Sequence, residues 1–399
     1  MPDYTVAISL IAKDLASDAI GTVQKSLGGL SGAADAAGKI LPGVAVAAAG
    51  MTAALGLAVK GAGDLEQSVA NISTIKPEID TSAVFNSLNA LSTRVPQTAA
   101  QLGDSLYNVF SSIETTQTGA LKLVEQFARG AVGAQTDAAT FGTSVLGVMN
   151  AYGLAVEDAG HVSDVFFNTI NKGVVTGPEL AASLGPVTQS AKAAGVSLDE
   201  LGGLIAGVTK EGGPAAQNIN NLNNFLQKVT TTDAQKELRN LGIVTTDATG
   251  TFRPVTEVIA DLGIKLGDMT EAGKANALQA IFPDAQARIG AQTLISQIGF
   301  VNEAIETNRT EVGSASAAYV KMGATFNSQS ALLGNSVQAI GNAIGAQLIP
   351  TLTGLTNMLS GVTARFLDLS PETQRWIAIG AAVTTGLTVL TAAGLGLVA

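Results

Sequence analysis

Three stretches of the chain open on the same signal at a spacing of 39 residues, and this recurrence limits the fold more than any other feature. Thr98 is followed by Leu102, Ser105 and Leu106. Asp137 is followed by Phe141, Ser144 and Val145, and Thr176 by Leu180, Ser183 and Leu184, all at the same offsets. A hydroxyl or carboxylate ahead of apolar residues at helical spacing is an N-cap signal, because its oxygen accepts from a backbone N–H that the first turn leaves unpaired. A second stripe recurs in step, at Leu123, Val162 and Leu201 and again at Phe127, Phe166 and Ile205. Each unit over residues 98–212 therefore reads as a helix pair that buries its stripe against its neighbours.

Helix starts are marked elsewhere too. Thr98 with Gln101, Thr176 with Glu179, Ser197 with Glu200 and Thr232 with Gln235 have capping-box spacing, and Ser370 is followed by Pro371 and Glu372. Residues 3–12 alternate as one short strand would. The segment 243–253 predicts a small β-hairpin turning at Asp247 and Gly250, after which Pro254 starts a helix. From about 292 to 349 the pattern is helical and rich in Gly, Ser and Ala. Val320, Met322, Phe326, Leu332, Leu333, Val337, Ile340, Ile344 and Leu348 there mostly follow three-and-four spacing, and Pro350 should break or kink the run. The expected fold is mainly α: an elongated helical bundle with helix-pair repeats, a short N-terminal strand and one hairpin near 243–253. It divides into an N-terminal strand and helix (1–39), an apolar helix and entry to the core (40–75), and a helical core (76–300). A long Gly/Ala/Ser-rich helical segment (301–370) and an apolar membrane-type helix (371–399) follow.

Composition removes many functions. With no cysteine there is no disulfide framework, thiolate metal site or Cys nucleophile, and a single histidine, His161, leaves no HExxH helix. Lys plus Arg number 22 against 32 Asp plus Glu, without a basic cluster, which argues against sequence-specific nucleic-acid binding. Only 14% of residues are charged and 4% aromatic, while glycines number 45, so thin, closely packed helices are expected rather than one large core. Two strongly apolar stretches carry no charge, residues 40–59 and 376–399, while two further uncharged runs, 138–156 and 322–364, are interrupted by Asn, Gln, Ser and Thr. At about 1.5 Å per helical residue either of the first two could span the roughly 30 Å core of a bilayer. A buried helix in a soluble assembly explains them equally well, and Ala45, Ala49 and Ala53, like Ala382 and Gly386, allow close helix approach.

No catalytic, cofactor-binding or metal-binding residue is expected. Ser73 and Lys76 have the S-x-x-K spacing of acyl-transfer sites but lack companion motifs. His161 has no ligand partners at metal spacing, and Asp158 and Asp164 read as solvent-facing helix acids. Neither Gly38-Lys39 nor Gly273-Lys274 belongs to a phosphate loop, and Asn218, Asn220, Asn221, Asn223 and Asn224 read as a polar helix face.

Short motifs in order resemble a known family. The opening Asp3 to Ser17, the entry Gly63 to Ser73 (with Leu65 where an aromatic is usual), and Thr176-Gly177-Pro178-Glu179-Leu180 carry the likeness. So do Ala191 and Gly195 with Asp199-Glu200-Leu201, Leu241-Gly242-Ile243 with Asp247, Gly250 and Arg253-Pro254, and Ala280-Ile281-Phe282 (with Pro283 where Gly is usual). Together they are similar to the N-terminal and core region of the phage tail tape measure proteins. The resemblance implies a structural virion protein that sets tail length as a ruler and scaffold for tail-tube polymerisation and helps DNA cross the host envelope on infection. It implies as partners the tail tube protein, tail tip or baseplate proteins, tail assembly chaperones, further copies of the chain in a helical bundle, and the host membrane on ejection. The implied locations are the host cytoplasm during assembly, the virion tail lumen and the host membrane during infection. Tape measures are usually longer, so this chain is expected to be part of a longer protein. A freestanding membrane-inserting pore-former or toxin is the alternative reading; a lytic enzyme is the least favoured.

Overall fold

The structure, a computed structural model, describes the backbone of residues 48–367 and the side chains of 60–347. The strand expected at 3–12, the helix start at Ser370 and the apolar stretch 376–399 lie outside the described residues. Residues up to Gly56 form one unit, described only from Ala48 onward as helix. Residues from Leu57 form the second, compact unit.

Helices dominate. In chain order they are α1 (Ala48–Ile75), α2 (Thr81–Ser92), α3 (Ala99–Ser112), α4 (Gln117–Ala134), α5 (Ala138–Tyr152), α6 (Ala159–Lys172), α7 (Gly177–Ala193) and α8 (Leu198–Lys210). Then follow α9 (Ala215–Val229), α10 (Thr232–Asn240), α11 (Val255–Gly267), α12 (Glu271–Ile281), α13 (Ala285–Thr310), α14 (Ser314–Gly323) and α15 (Phe326–Leu367).

The recurring signals sit at helix starts. Thr98, Asp137 and Thr176 are the N-caps of α3, α5 and α7, accepting from the backbone N–H of Gln101, Thr140 and Glu179. The boxes at Thr98, Thr176 and Ser197 close in both directions. The fourth is displaced by one residue. Thr231 caps α10 through the Ala234 N–H, and Gln235 instead donates to the Thr230 carbonyl at 2.8 Å. Three successive threonines offer near-equivalent caps, and the earlier start is the one that buries Ala234 and Leu238.

The second members, α4, α6 and α8, bury Leu123 and Phe127, Val162 and Phe166, and Leu201 and Ile205 in one continuous core. Glycine sets the spacing. Phe141 of α5 lies over Gly130 of α4, while a Cβ at Gly142 would stand 2.7 Å from the Phe127 ring, so each helix receives the other's aromatic where it has no side chain. Phe141 also meets Phe166 edge-on at 4.9 Å between ring centroids. That geometry is the favoured one for aromatic pairs.

Three expectations need correction. Among the described residues no sheet forms. At 243–253 there is a single antiparallel bridge, Thr246 to Phe252, in place of a laddered hairpin. The Asp247 carboxylate accepts from the N–H groups of Thr249 (2.8 Å) and Thr251 (3.0 Å), so a side chain holds the turn. Pro254 then removes the next backbone donor. Second, Pro350 does not break the last helix, which runs unbroken to Leu367. A proline costs one backbone hydrogen bond and a steric adjustment, about 3 kcal/mol in a helix interior, and a helix of 42 residues retains enough other bonds to absorb it. Pro186 likewise lies inside α7. Third, among the described residues no helix is long and apolar enough to cross a membrane. The described part of 40–59 belongs to α1, which continues through Lys60, Asp64 and Glu66 and buries Leu65, Val69 and Ile72 in the core.

Candidate interaction surfaces

The residues that first suggest chemistry are tied into the scaffold. Ser73 donates to the Ala70 carbonyl at 2.7 Å within its own helix. Lys76 turns away to Glu114 (3.0 Å) and Glu78 (3.2 Å), and these carboxylates, Glu114 foremost, raise its pKa. His161 on α6 stands 2.9 Å from the Asp199 carboxylate on α8, a close contact outside hydrogen-bond alignment that joins the second and third helix pairs. Beside it opens a cleft of about 660 Å³ lined in part by Glu125, Arg129 and Asp164. Three of its charged groups already have partners: Arg129 donates to Glu125 at 2.6 Å, and Asp164 is committed to backbone. No group of acids or histidines suited to a metal occurs among the described residues. In the Asn run, Asn218 donates to the Gly212 carbonyl in the loop before its own helix, and Asn224 donates to Gln286 of α13.

Asp164 departs from expectation most. It is only 5% exposed, and its carboxylate accepts from the N–H groups of Gly313 (2.7 Å) and Ala315 (2.9 Å). A side chain on α6 therefore caps α14, about 150 residues further along the chain. Orphan N–H groups and the positive end of the helix dipole both favour a carboxylate there. Nothing local in the sequence signals this, because the acceptor and its donors are far apart.

From that cap the chain continues into an arm, α14 and α15. Ala315 and Ala318 of α14 are buried, the latter beside Gly133 of α4, and the Tyr319 hydroxyl donates to the Arg94 carbonyl at 2.8 Å. Arg129 lies over the Tyr319 ring at 5.4 Å. Further on, α15 docks by asparagine. Asn335 donates to the carbonyls of Val95 (3.1 Å) and Gln97 (2.9 Å), and Asn342 donates to Asn89. Asn89 in turn donates to the Ala339 carbonyl at 3.0 Å. Gly61 of α1 makes room, since a Cβ there would meet the Asn342 side chain at 2.6 Å.

The opposite side of α15 is apolar and uncovered. Phe326 is 85% exposed, Leu333 68%, Val337 64% and Ile340 65%. Over its described side chains this helix therefore turns Asn335 and Asn342 inward and Phe326, Leu333, Val337 and Ile340 outward. The three-and-four spacing was legible in the sequence; the direction in which it points was not.

Residues 86–282, from α2 through α12, match the profile of the phage-related minor tail protein family. The chain is 29% identical over 325 residues to a probable tape measure protein of Clostridium phage phiCD119, an alignment covering 78% of this chain and 34% of that protein. It is 22% identical over 260 residues to a tape measure protein of Pneumococcus phage Dp-1, covering 63% and 22% respectively. Together these likenesses support a phage tail tape measure protein. It spans about a third or less of the length of these relatives. No solved structure matches it. Each of these likenesses is to a protein of the phage tail. The family-matched part contains the helix-pair core, and the arm with the uncovered apolar face follows it after α13.

Proposed function

We propose that the chain is part of a ruler and scaffold around which tail-tube subunits polymerise, its axial extent setting where polymerisation stops. The observation that carries this reading is α15: after the family-matched core, and beyond α13 and α14, comes one unbroken helix of 42 residues in which Arg365 is the sole charge. A helix converts residue count into length at about 1.5 Å each, which is the property a ruler needs. Low charge suits a strand enclosed by other subunits, and small side chains allow several copies within a narrow lumen. The tail tube protein would surround the strand, tip or baseplate proteins would anchor it, and assembly chaperones would cover it before the tube forms. Release of the strand on infection, to help DNA cross the host envelope, rests on the family resemblance alone.

The test is a length series in the phage. Duplicating residues 326–367 in frame should lengthen tails by about 60 Å, and deleting 28 residues from the same helix should shorten them by about 40 Å, both read by electron microscopy. Intact tails of unchanged length in both variants would sink the ruler reading for this segment.

A further inference from the structure

We propose that the trough between α5 and α7 is a docking site for a helix of a different protein. The incoming helix lies antiparallel to both, acidic in its first turn and basic in its last. Between these ends it is uncharged, with small residues at every fourth position and a Ser or Thr among them.

The trough is open and holds about 550 Å³. Near one end Ser144 of α5 donates to the Ala181 carbonyl of α7 at 3.3 Å. At the other Lys192 of α7 stands over the Tyr152 ring of α5 at 5.3 Å, so the two helices run side by side in the same direction. Small residues recur every fourth position on both walls, Ala139, Thr143 and Gly147 on α5 and Ala181 and Gly185 on α7, and no lining side chain is charged. Rows at four-residue spacing are the grooves into which another helix lays its ridge.

The trough is left unfinished by the chain's own contacts. Phe141 and Phe127 fill the hollows at Gly130 and Gly142, but a Cβ at Gly147 would meet nothing within 4 Å. Glycine weakens a helix interior relative to alanine, and no contact within the chain requires it there. Thr188 on the trough floor is only 2% exposed, and its hydroxyl has no hydrogen-bond partner. Buried polar groups are nearly always paired. On the rim, the Ala182 carbonyl lies four residues before Pro186, which has no N–H to give it. Hydroxyls on an incoming helix can donate to that carbonyl and pair with Thr188.

Charge sets the occupant and its direction. The trough starts beside Asp137, the cap of α5, and Glu179 in the first turn of α7, and it closes at Lys192. An antiparallel helix brings a basic last turn to the two acids and an acidic first turn to Lys192. Its dipole then opposes those of α5 and α7, the favourable arrangement at both ends. From Asp137 to Tyr152 the axis runs about 22 Å, so about fifteen uncharged residues separate acid from base on the occupant.

The probe is a synthetic helical peptide of that pattern, with Glu in its first turn, Lys in its last, and Ala and Ser at the facing positions. Labelled with fluorescein, it is titrated with the full chain and read by anisotropy. Gly147→Leu and Ala182→Leu fill the trough from exposed positions, and Thr188→Val removes the unpaired hydroxyl. Each should keep or raise the unfolding midpoint, through helix propensity or loss of an unsatisfied group, while weakening the probe by about tenfold or more. Lys192→Glu should weaken it as well, and a probe with its first-turn Glu exchanged for Lys should restore binding to that variant. Binding unchanged by Gly147→Leu and Thr188→Val, equal affinity for a probe of reversed charge order, or no binding at about 1 mM would each overturn the proposal. Sedimentation showing that Gly147→Leu breaks self-association of the free chain would overturn it too, by making the occupant a second copy.

Discussion

The contact of α8 with α13 and the docking of α15 solve the same task, laying one helix on another, by opposite means. In the first, Gly203 and Gly207 of α8 leave hollows into which Ile305 and Val301 of α13 fit, and Leu204, Ile205 and Val301 are sealed from solvent. In the second, the buried residues include Asn335, Ala339 and Asn342, while Leu333, Val337 and Ile340 face out. Dispersion and apolar burial hold the first contact and act only at close packing. Hydrogen bonds hold the second, each contributing a net of about 1 kcal/mol. A protein whose arm is held this way has a rigid core and an attachment that leaves its main apolar surface unspent.

The largest effect tests the core half of the contrast. Phe127→Ala removes a fully buried ring seated over Gly142 and should lower global stability by about 3–5 kcal/mol in denaturant unfolding. Gly203→Val inserts methyls where Ile305 already stands and should cost about 1–3 kcal/mol by overpacking, again in the global transition. A loss below half a kcal/mol in both would show that the small-residue contacts are looser than their geometry implies.

On the arm the loss should be local. Asn335→Ala leaves two buried carbonyls without their donor, a cost of about 1–3 kcal/mol. Hydrogen exchange over α15 should accelerate while the main unfolding midpoint stays put. Asp164→Ala should act similarly on α14 and cost about 1 kcal/mol, the usual worth of an N-cap. A matching drop in the global midpoint would erase the distinction between the two regions.

The smallest effect is acid sensitivity. Bonds from Thr140 to the Asp137 cap hold that carboxyl below its ordinary 3.8. A carboxyl with a lowered folded pKa stabilises fully above its unfolded value and loses that contribution as pH falls through the folded one. Stability should therefore be flat from neutrality down to about pH 4 and decline below it. Asp137→Asn should flatten that decline.

The helix-pair core was largely legible in the sequence, because caps and stripes are local signals and the 39-residue spacing repeats them. Thr231 displaced Thr232 because three threonines in a row compete for one cap, and burial of Leu238 chooses between them. The hairpin reduced to one bridge because Asp247 meets the turn's donors with its own side chain. Asp164 could not be read as a cap from its neighbours, since its partners are supplied by a distant turn. The outward face of α15 was hidden for a related reason: periodicity defines a stripe, and only tertiary contacts decide which side meets the core.

The long span of the Asp164 cap also imposes an order in time. Its donors at Gly313 and Ala315 are made some 150 residues after it, roughly 10–30 s at ordinary rates of synthesis. During that interval the α6 carboxylate waits with its site open, and the arm that will fill it is still in the ribosome. The apolar helix thus emerges after the α6 carboxylate and the rest of the core, onto a platform already made.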